Sequence, residues 1–417
     1  MTDQVPEDER IAPEWMTKEF FENILRNSEN DETIEVIELV VKPGSNLGDH
    51  YASVMFRGLI TYNSSTKKGE ETSLIIKTMP FVDGPKKELL GQSDIFEIEI
   101  SMYNDVIPKF EKILKEANDD TQIGCKCLYS CLEPHKTMVF EDLTRKNFRC
   151  PGDFGDNMFD VAMKALSKLA KWHAISYKLN ADGGKISKEF QDVAFKDMDF
   201  EEFPLFRDGL NFFIDMMKNE PDFKDYTSKF EKLKADNFLK KATRAYESFK
   251  KGEFANLFVL NHGDFHLKNT MMADNDGELE VLLIDFQICF WGPAVMDLTY
   301  FLYMSIDTET RATKRNEIIY TYYETFTATL TQIGFTGKVP KLSDLYKDFL
   351  SFKDYELLLI MCMMPMVCNV SELNGKSEDP SQFMDNDDYR KSLYSKKTYK
   401  EFVKNILPEL LYKGYLD

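Results

Sequence analysis

One stretch of this sequence, LNHGDFHLKNTMMADNDGELEVLLIDFQ, constrains the fold more than any other segment. Asp264 and Asn269 lie five positions apart on a predicted loop, and Asp285 follows Asp264 by 21 positions at the end of the apolar run VLLI. A β-hairpin with strands near 271 and 281 would bring the three oxygen-bearing side chains together. The pattern therefore predicts one folded site rather than three unrelated surface positions.

The side chains of this stretch suit phosphoryl transfer. Mg²⁺ prefers carboxylate and amide oxygens together with phosphate oxygens. Kinases use one Asp near the acceptor hydroxyl, with an Asn and a second Asp on the metal. Asp264 is thus predicted to orient a hydroxyl and accept its proton, and Asn269 and Asp285 to hold Mg²⁺. His262 would shape the catalytic loop by hydrogen bonding, and Gly263 by allowing tight backbone geometry. A lone His-Gly-Asp would be an ordinary solvated turn, so the longer pattern carries the prediction.

The first part of the chain is predicted to be rich in strands. Residues 31–41, 51–62 and 72–79 have strand character and are separated by turn-rich segments, which favours an antiparallel meander. Residues 88–105 have helical periodicity, which Pro108 is expected to end or kink.

The second part has a different character. Short strands are expected at 127–130 and 136–140, and residues 157–179 form a strong amphipathic helix pattern. Helical patterns dominate the remainder. The predicted class is α+β, with a smaller strand-rich lobe over 1–141 and a larger helical lobe over 142–417.

A lysine and a glutamate of the first lobe are predicted to pair. Glu99 shares an apolar helical stripe with Phe96 and Tyr103, whereas Glu97 falls on a polar face. A carboxylate on an apolar stripe is costly unless it is paired, and Lys77, at the end of an apolar strand, is the natural partner. Such a pair would hold nucleotide phosphates. The alternative is a lysine whose ammonium group simply extends to water.

The composition narrows the possible partners. Acidic residues outnumber basic ones by 71 to 52, which disfavours nucleic-acid binding over the whole surface. The longest apolar run is shorter than the roughly 20 residues that a membrane span needs. The acidic start of the chain is unlike a secretory signal, and seven cysteines do not suggest a disulfide framework. We therefore expect a cytoplasmic monomer with no membrane partner.

The longer string HGDFHLKNTM…LLIDFQ…GPAVMDLTYFL resembles the ecdysteroid kinase-like family, which is related to aminoglycoside phosphotransferases and choline kinases. The resemblance implies a two-lobed protein-kinase-like fold with ATP between the lobes. It also implies transfer of the γ-phosphate to a hydroxyl of an apolar alcohol, an ecdysteroid or a similar steroid or xenobiotic. The string IFEIEISMYNDVIP independently selects Glu99. His266 and Lys268 depart from the family pattern, which often has Trp at the first of these positions.

Two other reactions remain open at this point. The first is phosphorylation of choline or an aminoglycoside, and the second is an inactive pseudokinase that binds ligands. The intact set of predicted site residues argues against the pseudokinase.

The nucleotide contacts of the first lobe follow from weaker patterns. Backbone N–H groups that could approach phosphates belong to Gly44, Ser45 and Gly48, although an ordinary hairpin turn is the alternative. The resemblance places the adenine pocket at the hinge MVFEDL. The residues whose backbone groups would face the base edge there are Phe140, Glu141 and Asp142.

Several further clusters of residues allow both a structural and a functional interpretation. Cys125, Cys127, Cys131 and His135 have irregular spacing, which favours packing over a zinc site. His173 lies on the stripe of the long helix, as a hydrogen-bonded core histidine would. An apolar helix broken by Pro365, and a charged segment before 256, could each line an apolar substrate cavity or simply fill the core. The helix residues are Met363, Met364 and Met366, and the residues of the charged segment are Phe206, Phe212, Phe213 and Met216.

Overall fold

A computed structural model describes residues 11–44, 53–82, 87, 91, 93–151, 158–190, 200–201, 204–250, 255–275, 277–372 and 386–417. The chain forms two compact units. The first contains 1–115, 120–153 and 270–287, and the second contains 116–119, 154–269 and 288–417.

These units do not coincide with the predicted continuous ranges 1–141 and 142–417. The reason is a backbone connection between distant segments. The Leu283 N–H donates to the Ile123 carbonyl, and Arg149 and Met272 exchange backbone hydrogen bonds. The hairpin after Asn269 therefore belongs to the strand-rich unit, although it lies far along the chain.

The first unit contains a five-stranded antiparallel sheet. Its strands are β1 (Glu35–Pro43), β2 (Val54–Asn63), β3 (Glu70–Thr78), β4 (Cys127–Cys131) and β5 (Thr137–Glu141), in the spatial order β1-β2-β3-β5-β4. The predicted meander of the first three strands is confirmed, because β2 pairs antiparallel with both β1 and β3. The β3–β5 register places Lys77 opposite Met138 and so fixes the lysine on an inner strand.

The core of this unit lies under helix α1 (Lys18–Glu29). Phe21 of α1 is fully buried with Phe56, Ile76 and Val139 of the sheet. Alternation of buried and accessible residues along β2 gives the sheet one face for this core.

Of the two effects predicted for Pro108, the end of a helix is wrong, and a kink stays a prediction. Helix α2 (Ile95–Ser101) runs into a π-helical turn (Met102–Val106), and α3 (Ile107–Glu116) continues from it. Proline has no N–H to donate, and its ring clashes with the carbonyl four residues earlier in a regular helix. The wider π turn accommodates Pro108 without breaking the helix.

The remaining strands are short. The hairpin of β7 (Thr270–Asn275) and β8 (Glu278–Leu283) confirms the one predicted near 271 and 281. In the second unit, β6 (Phe258–Asn261) pairs antiparallel with β9 (Phe290–Pro293). Three-residue 3₁₀ turns cover Pro221–Phe223 and Leu267–Asn269.

The second unit is otherwise helical in the residues described. Its helices are α4 (Met158–Ala181), α5 (Ile186–Glu189), α6 (Pro204–Asn219), α7 (Lys224–Ala235), α8 (Phe238–Lys250), α9 (Val295–Met304), α10 (Thr308–Gln332), α11 (Leu342–Ser351), α12 (Lys353–Leu358), α13 (Met364–Glu372), α14 (Asp387–Leu393) and α15 (Lys397–Tyr412). Helix α4 packs against α10, and the Trp172 indole N–H donates to the Leu260 carbonyl at 2.7 Å. These contacts bind strand β6, which leads into the predicted catalytic loop, to the helical core.

Two of the clusters weighed from sequence lie in this unit. Pro365 does not break its helix, because a π-helical turn (Leu359–Met363) precedes α13 as another precedes α3. Phe213 of α6 is fully buried against Phe230 of α7, with ring centroids 4.9 Å apart. Phe213 therefore fills the core, whereas Phe206 is half-buried.

Among the described residues, none of the helices combines the length and the apolar character that crossing a bilayer requires.

Candidate active site

The first unit contains the predicted lysine–glutamate pair. Lys77 on β3 places its Nζ 2.5 Å from Glu99 Oε2 of α2 and 2.7 Å from Asp285 Oδ1, just after β8. The Lys77 and Glu99 side chains are 7% and 2% exposed, whereas Asp285 is 27% exposed. The sheet, the helix and the hairpin thus each supply one charged group, and only the Asp285 carboxylate is substantially open to solvent.

Burial and charge act against each other in this cluster. Burial disfavours the charged form of Lys77, but the Asp285 and Glu99 carboxylates outweigh it and raise the pKa of Lys77. Burial raises the pKa of Glu99, and the Asp285 charge adds to this effect while Lys77 opposes it, which leaves that pKa at about 7. When both acids are ionised, one ammonium group between two carboxylates leaves a formal surplus of negative charge, and this surplus suits a further cation.

The backbone at Asp285 is held in an unusual conformation. Its φ is +67°, in the left-handed region that non-glycine residues rarely adopt. The Gln287 amide bridges the cluster, since its Nε2 lies 3.3 Å from Asp285 Oδ2 and its Oε1 lies 3.5 Å from Lys77 Nζ. Such strain persists only where surrounding contacts enforce it, which marks this turn as a candidate functional site.

The second unit contains the other predicted residues, on the loop between β6 and the 3₁₀ turn that ends at Asn269. The Asn269 Nδ2 donates to the Asp264 backbone carbonyl at 3.0 Å and to Asp264 Oδ2 at 2.9 Å. Asp264 and Asn269 are therefore together, as predicted. The predicted convergence of this pair with Asp285 joins residues of both units and stays a prediction.

The protonation state of Asp264 follows from its neighbours. Burial favours the neutral acid, but the contacts with His266 and the Tyr300 hydroxyl outweigh it and lower the pKa of Asp264 to about 2. Asp264 is thus a carboxylate throughout the physiological range. It is a weak base and a strong hydrogen-bond acceptor, which suits it to orient a hydroxyl.

Gly263 and His262 shape the loop by different means. Gly263 has φ +87°, and a Cβ atom there would lie 2.2 Å from the Ile288 carbonyl oxygen, so only glycine fits. His262 is fully buried, with ring centroids of Trp172 and Phe265 each 6.0 Å away. This burial favours a role in shaping the loop rather than contact with substrate, and the catalytic role predicted for His262 stays a prediction.

Sequence reasoning missed Asp297, which organises the loop. This residue of α9 is 1% exposed, and its carboxylate accepts the backbone N–H groups of His262 at 2.6 Å and Gly263 at 2.9 Å. His173 Nε2 lies 3.3 Å from the same carboxylate, and the Tyr322 hydroxyl lies 2.7 Å from His173 Nδ1. The signal was present in the sequence, because a lone Asp in the apolar run GPAVMDLTYFL is as costly unless paired as Glu99 is on its stripe.

Asp297→Ala is expected to lower the free energy of unfolding by at least about 3 kcal/mol, because it leaves buried donors without an acceptor. Urea denaturation measures this change. Asp307→Ala is the matched control, since Asp307 is an exposed N-cap that accepts the Thr310 N–H, and losing such a cap costs about 1 kcal/mol. Equal losses in the two variants would contradict the organising role of Asp297.

His173 should make stability depend on pH. Burial lowers the pKa of His173 in the folded chain below its ordinary value of 6.5, and Asp297 opposes this only in part. Below pH 6.5 the unfolded chain therefore binds a proton that the folded chain does not. Stability should fall as the pH drops from 6.5, by up to about 1.4 kcal/mol per pH unit. In melts between pH 7.5 and 5.5, we expect stability to fall less steeply with decreasing pH in His173→Gln than in the wild type, by this amount. The exposed His135→Gln should leave the wild-type slope unchanged, and equal slopes in all three proteins would contradict the assignment.

The structure describes only part of the turn that is predicted to contact the nucleotide phosphates. Ser45 and Gly48 lie outside the described residues. The Gly44 N–H donates to the Met55 carbonyl at 2.8 Å and so continues the sheet. A phosphate contact from this turn would therefore have to come from the residues after Gly44.

The hinge residues are held by protein contacts. Phe140 packs on Tyr103 with ring centroids 4.8 Å apart, and the Glu141 N–H donates to the Lys126 carbonyl. The Asp142 carboxylate accepts the Ser73 hydroxyl at 2.6 Å and lies 3.1 Å from Arg57. Contact of this segment with a base edge stays a prediction, and it would use backbone groups other than the Glu141 N–H.

The described residues contain no cluster of three or more His, Cys, Asp or Glu side chains able to hold a metal ion. Mg²⁺ does not need such a cluster, since it is usually bound by one or two carboxylates and the phosphates of its substrate. In the first unit, the Cys125 thiol contacts the buried Tyr103 hydroxyl, and Cys127 donates to the Tyr129 carbonyl.

Comparison with known proteins identifies the family. A model of the ecdysteroid kinase-like family matches residues 47–335, more than half of the chain. The chain belongs to this family. The match places this ecdysteroid kinase-like protein among kinase-like small-molecule phosphotransferases. It also covers Lys77, Glu99 and the whole loop–hairpin segment described above.

Solved structures resemble this ecdysteroid kinase-like protein only weakly. A microcompartment-associated aminopropanol kinase has 10% identity, covers 95% of this chain and 98% of its own, and has a TM-score of 0.39. An amicoumacin kinase in complex with AMP-PNP, Ca²⁺ and Ami has 14% identity, coverages of 83% and 86%, and a TM-score of 0.37. An aminoglycoside-3'-phosphotransferase of type VIII has 13% identity, coverages of 76% and 93%, and a TM-score of 0.30. No curated protein matched the chain.

Proposed function

We propose that this chain is an ATP- and Mg²⁺-dependent kinase that transfers the γ-phosphate to a hydroxyl of an apolar alcohol. The observation that carries the proposal is the buried Lys77 ammonium group, held between Glu99 and the partly exposed Asp285. A buried lysine with two carboxylate partners, one of which is accessible to solvent, is suited to phosphate and metal binding. A purely structural ion pair would need only one of the two acids.

The residues present suit the cofactors. ATP and Mg²⁺, when bound, supply the transferable phosphoryl group and neutralise its charge. Asp285 would hold the metal, because its carboxylate is accessible and the cluster carries surplus negative charge. Lys77 would hold phosphate oxygens, and Glu99 would keep the Lys77 side chain extended from β3. Asn269 is proposed as the second metal ligand.

Asp264 would act on the acceptor alcohol. Its carboxylate would accept a hydrogen bond from the substrate hydroxyl and take the proton as the oxygen–phosphorus bond forms. A pKa of about 2 makes early deprotonation of an alcohol unfavourable, so orientation is the main contribution of Asp264. This fits the loose transition state of phosphoryl transfer, in which the nucleophile needs little prior activation.

We propose an ecdysteroid, or a similar steroid or xenobiotic, as the acceptor, following the family to which the chain belongs. We further propose a monomer in the cytoplasm, because a net charge of −19 opposes self-association and binding to nucleic acid. Choline- or aminoglycoside-type phosphorylation and an inactive pseudokinase are the alternatives that the assay must separate.

The test is ADP release by the purified full chain with ATP and Mg²⁺ against a panel of acceptors. The panel contains an ecdysteroid, an apolar xenobiotic alcohol, choline and an aminoglycoside, and mass spectrometry identifies any phosphorylated product. Release that depends on the steroid or the xenobiotic supports the proposal. Activity confined to choline or the aminoglycoside would refute the apolar acceptor and assign the acceptor to that other class. ATP binding without turnover on any acceptor would favour the pseudokinase.

A further inference from the structure

His266 lies directly beside the predicted catalytic aspartate and has no role so far. Its Nε2 is 3.4 Å from Asp264 Oδ1, longer than a charge-assisted hydrogen bond, and its side chain is 20% exposed. The imidazole ring is tilted against the Tyr300 ring, with centroids 6.2 Å apart. The ring is therefore held on one side by an aromatic neighbour and faces a carboxylate on the other.

A backbone contact determines which ring nitrogen carries the proton. The Lys268 N–H donates to His266 Nδ1 at 3.1 Å, so Nδ1 must offer its lone pair. In a neutral imidazole the other nitrogen then carries the hydrogen. The His266 N–H donates to the Asp264 carbonyl, and the Asn269 N–H donates to the His266 carbonyl, which hold the backbone on both sides of the ring. In the neutral ring the hydrogen is therefore carried by Nε2, the ring nitrogen that lies 3.4 Å from Asp264 Oδ1.

We propose that His266 is a positioning residue that acts through Asp264, with Nδ1 as the acceptor of the Lys268 N–H and the hydrogen on Nε2 beside the carboxylate in a single tautomer. Asn269 Nδ2 holds Oδ2 of the same carboxylate at 2.9 Å, and His266 Nε2 lies 3.4 Å from Oδ1, so each oxygen has a neighbour from one short loop. This arrangement sets the plane of the carboxylate that meets the acceptor hydroxyl. The catalytic consequence rests on the proposed function, whereas the tautomer does not.

The tautomer can be measured without any activity. Nitrogen-15 NMR on the full chain with labelled histidine distinguishes the two neutral tautomers and the imidazolium form, and the chain has only five histidines to resolve. The signal that disappears in His266→Gln or His266→Asn identifies the residue. We expect the Nε2–H tautomer at pH 7.5. A Nδ1–H tautomer, or an imidazolium, would overturn the proposal even if the chain proves to be a kinase.

Kinetics then test positioning. Gln can present an amide N–H where Nε2–H stood, whereas Leu cannot. His266→Leu is expected to lower kcat by about 10-fold to 100-fold with the KM for ATP unchanged, as loss of an orienting partner does. His266→Gln should retain most of kcat, and both variants should melt as the wild type does. Equal kcat losses in the two variants would contradict the positioning role of His266. Absence of turnover in the wild type would instead refute the proposed function and leave the NMR result to decide the tautomer.

Discussion

Asp264→Asn should abolish phosphate transfer while leaving ATP binding intact. The substitution keeps the shape of the side chain but removes the negative charge that accepts the substrate hydroxyl. It also places an amide where His266 and Tyr300 now face a carboxylate. We expect kcat to fall by about 10²-fold to 10⁴-fold, the range typical of a lost acid–base group. ADP release measures turnover, and calorimetric titration with ATP and Mg²⁺ measures binding.

Asp215→Asn is the matched control for this variant. Asp215 is an exposed residue of α6 in the same unit, so the substitution removes one negative charge without touching the loop. The control should retain wild-type turnover. Wild-type turnover in Asp264→Asn itself would refute the role of Asp264. Lost ATP binding in that variant would show that the substitution damages more than the site of the acceptor alcohol.

Asp285→Asn should weaken binding of the Mg²⁺–ATP complex as well as turnover. The Asp285 carboxylate is the accessible acid of its cluster and the partner of Lys77 at 2.7 Å. Its neutralisation removes the proposed metal ligand and the surplus negative charge together. We expect the binding loss to depend on Mg²⁺, so that ATP titrated with excess chelator binds the variant and the wild type alike. Turnover should be lost as severely as in Asp264→Asn.

The hairpin itself supplies the control. Asp274 lies on β7 of the same hairpin, is exposed, and accepts the Gly277 N–H through an oxygen that Asn would retain. Asp274→Asn should bind Mg²⁺–ATP as the wild type does. If Asp285→Asn also retains Mg²⁺-dependent binding, Asp285 is not the metal ligand and the cluster around Lys77 is structural.

Periodicity was enough to find the Lys77–Glu99 pair. A carboxylate on an apolar helical stripe must have a buried partner, and this rule selects Glu99 over Glu97 from the sequence. The same rule, applied to α9, would have found Asp297. Asp297 lies on an apolar helix outside the loop that it supports, so the pattern of the loop alone does not indicate it.

Other features could not be predicted from the residue pattern of a short segment. A proline normally predicts a helix end, and the π turns before Pro108 and Pro365 override that preference through packing of the residues around them. The second acidic partner of Lys77 was equally hidden, because Asp285 lies 208 positions away along the chain. Periodicity within one helix or strand carries no information about which distant loop will meet it.

Local physics determined the first three strands, the β7–β8 hairpin, the glycine at 263 and the pairing of Lys77 with Glu99. Each of these follows from steric limits or from the cost of burying charge within a short segment. Only the tertiary structure decided that the β7–β8 hairpin belongs to the first unit, that Asp285 completes the lysine cluster, and that Asp297 holds the predicted catalytic loop. Those contacts join residues far apart in the chain, and their selection depends on how whole elements pack, which no short window of sequence contains.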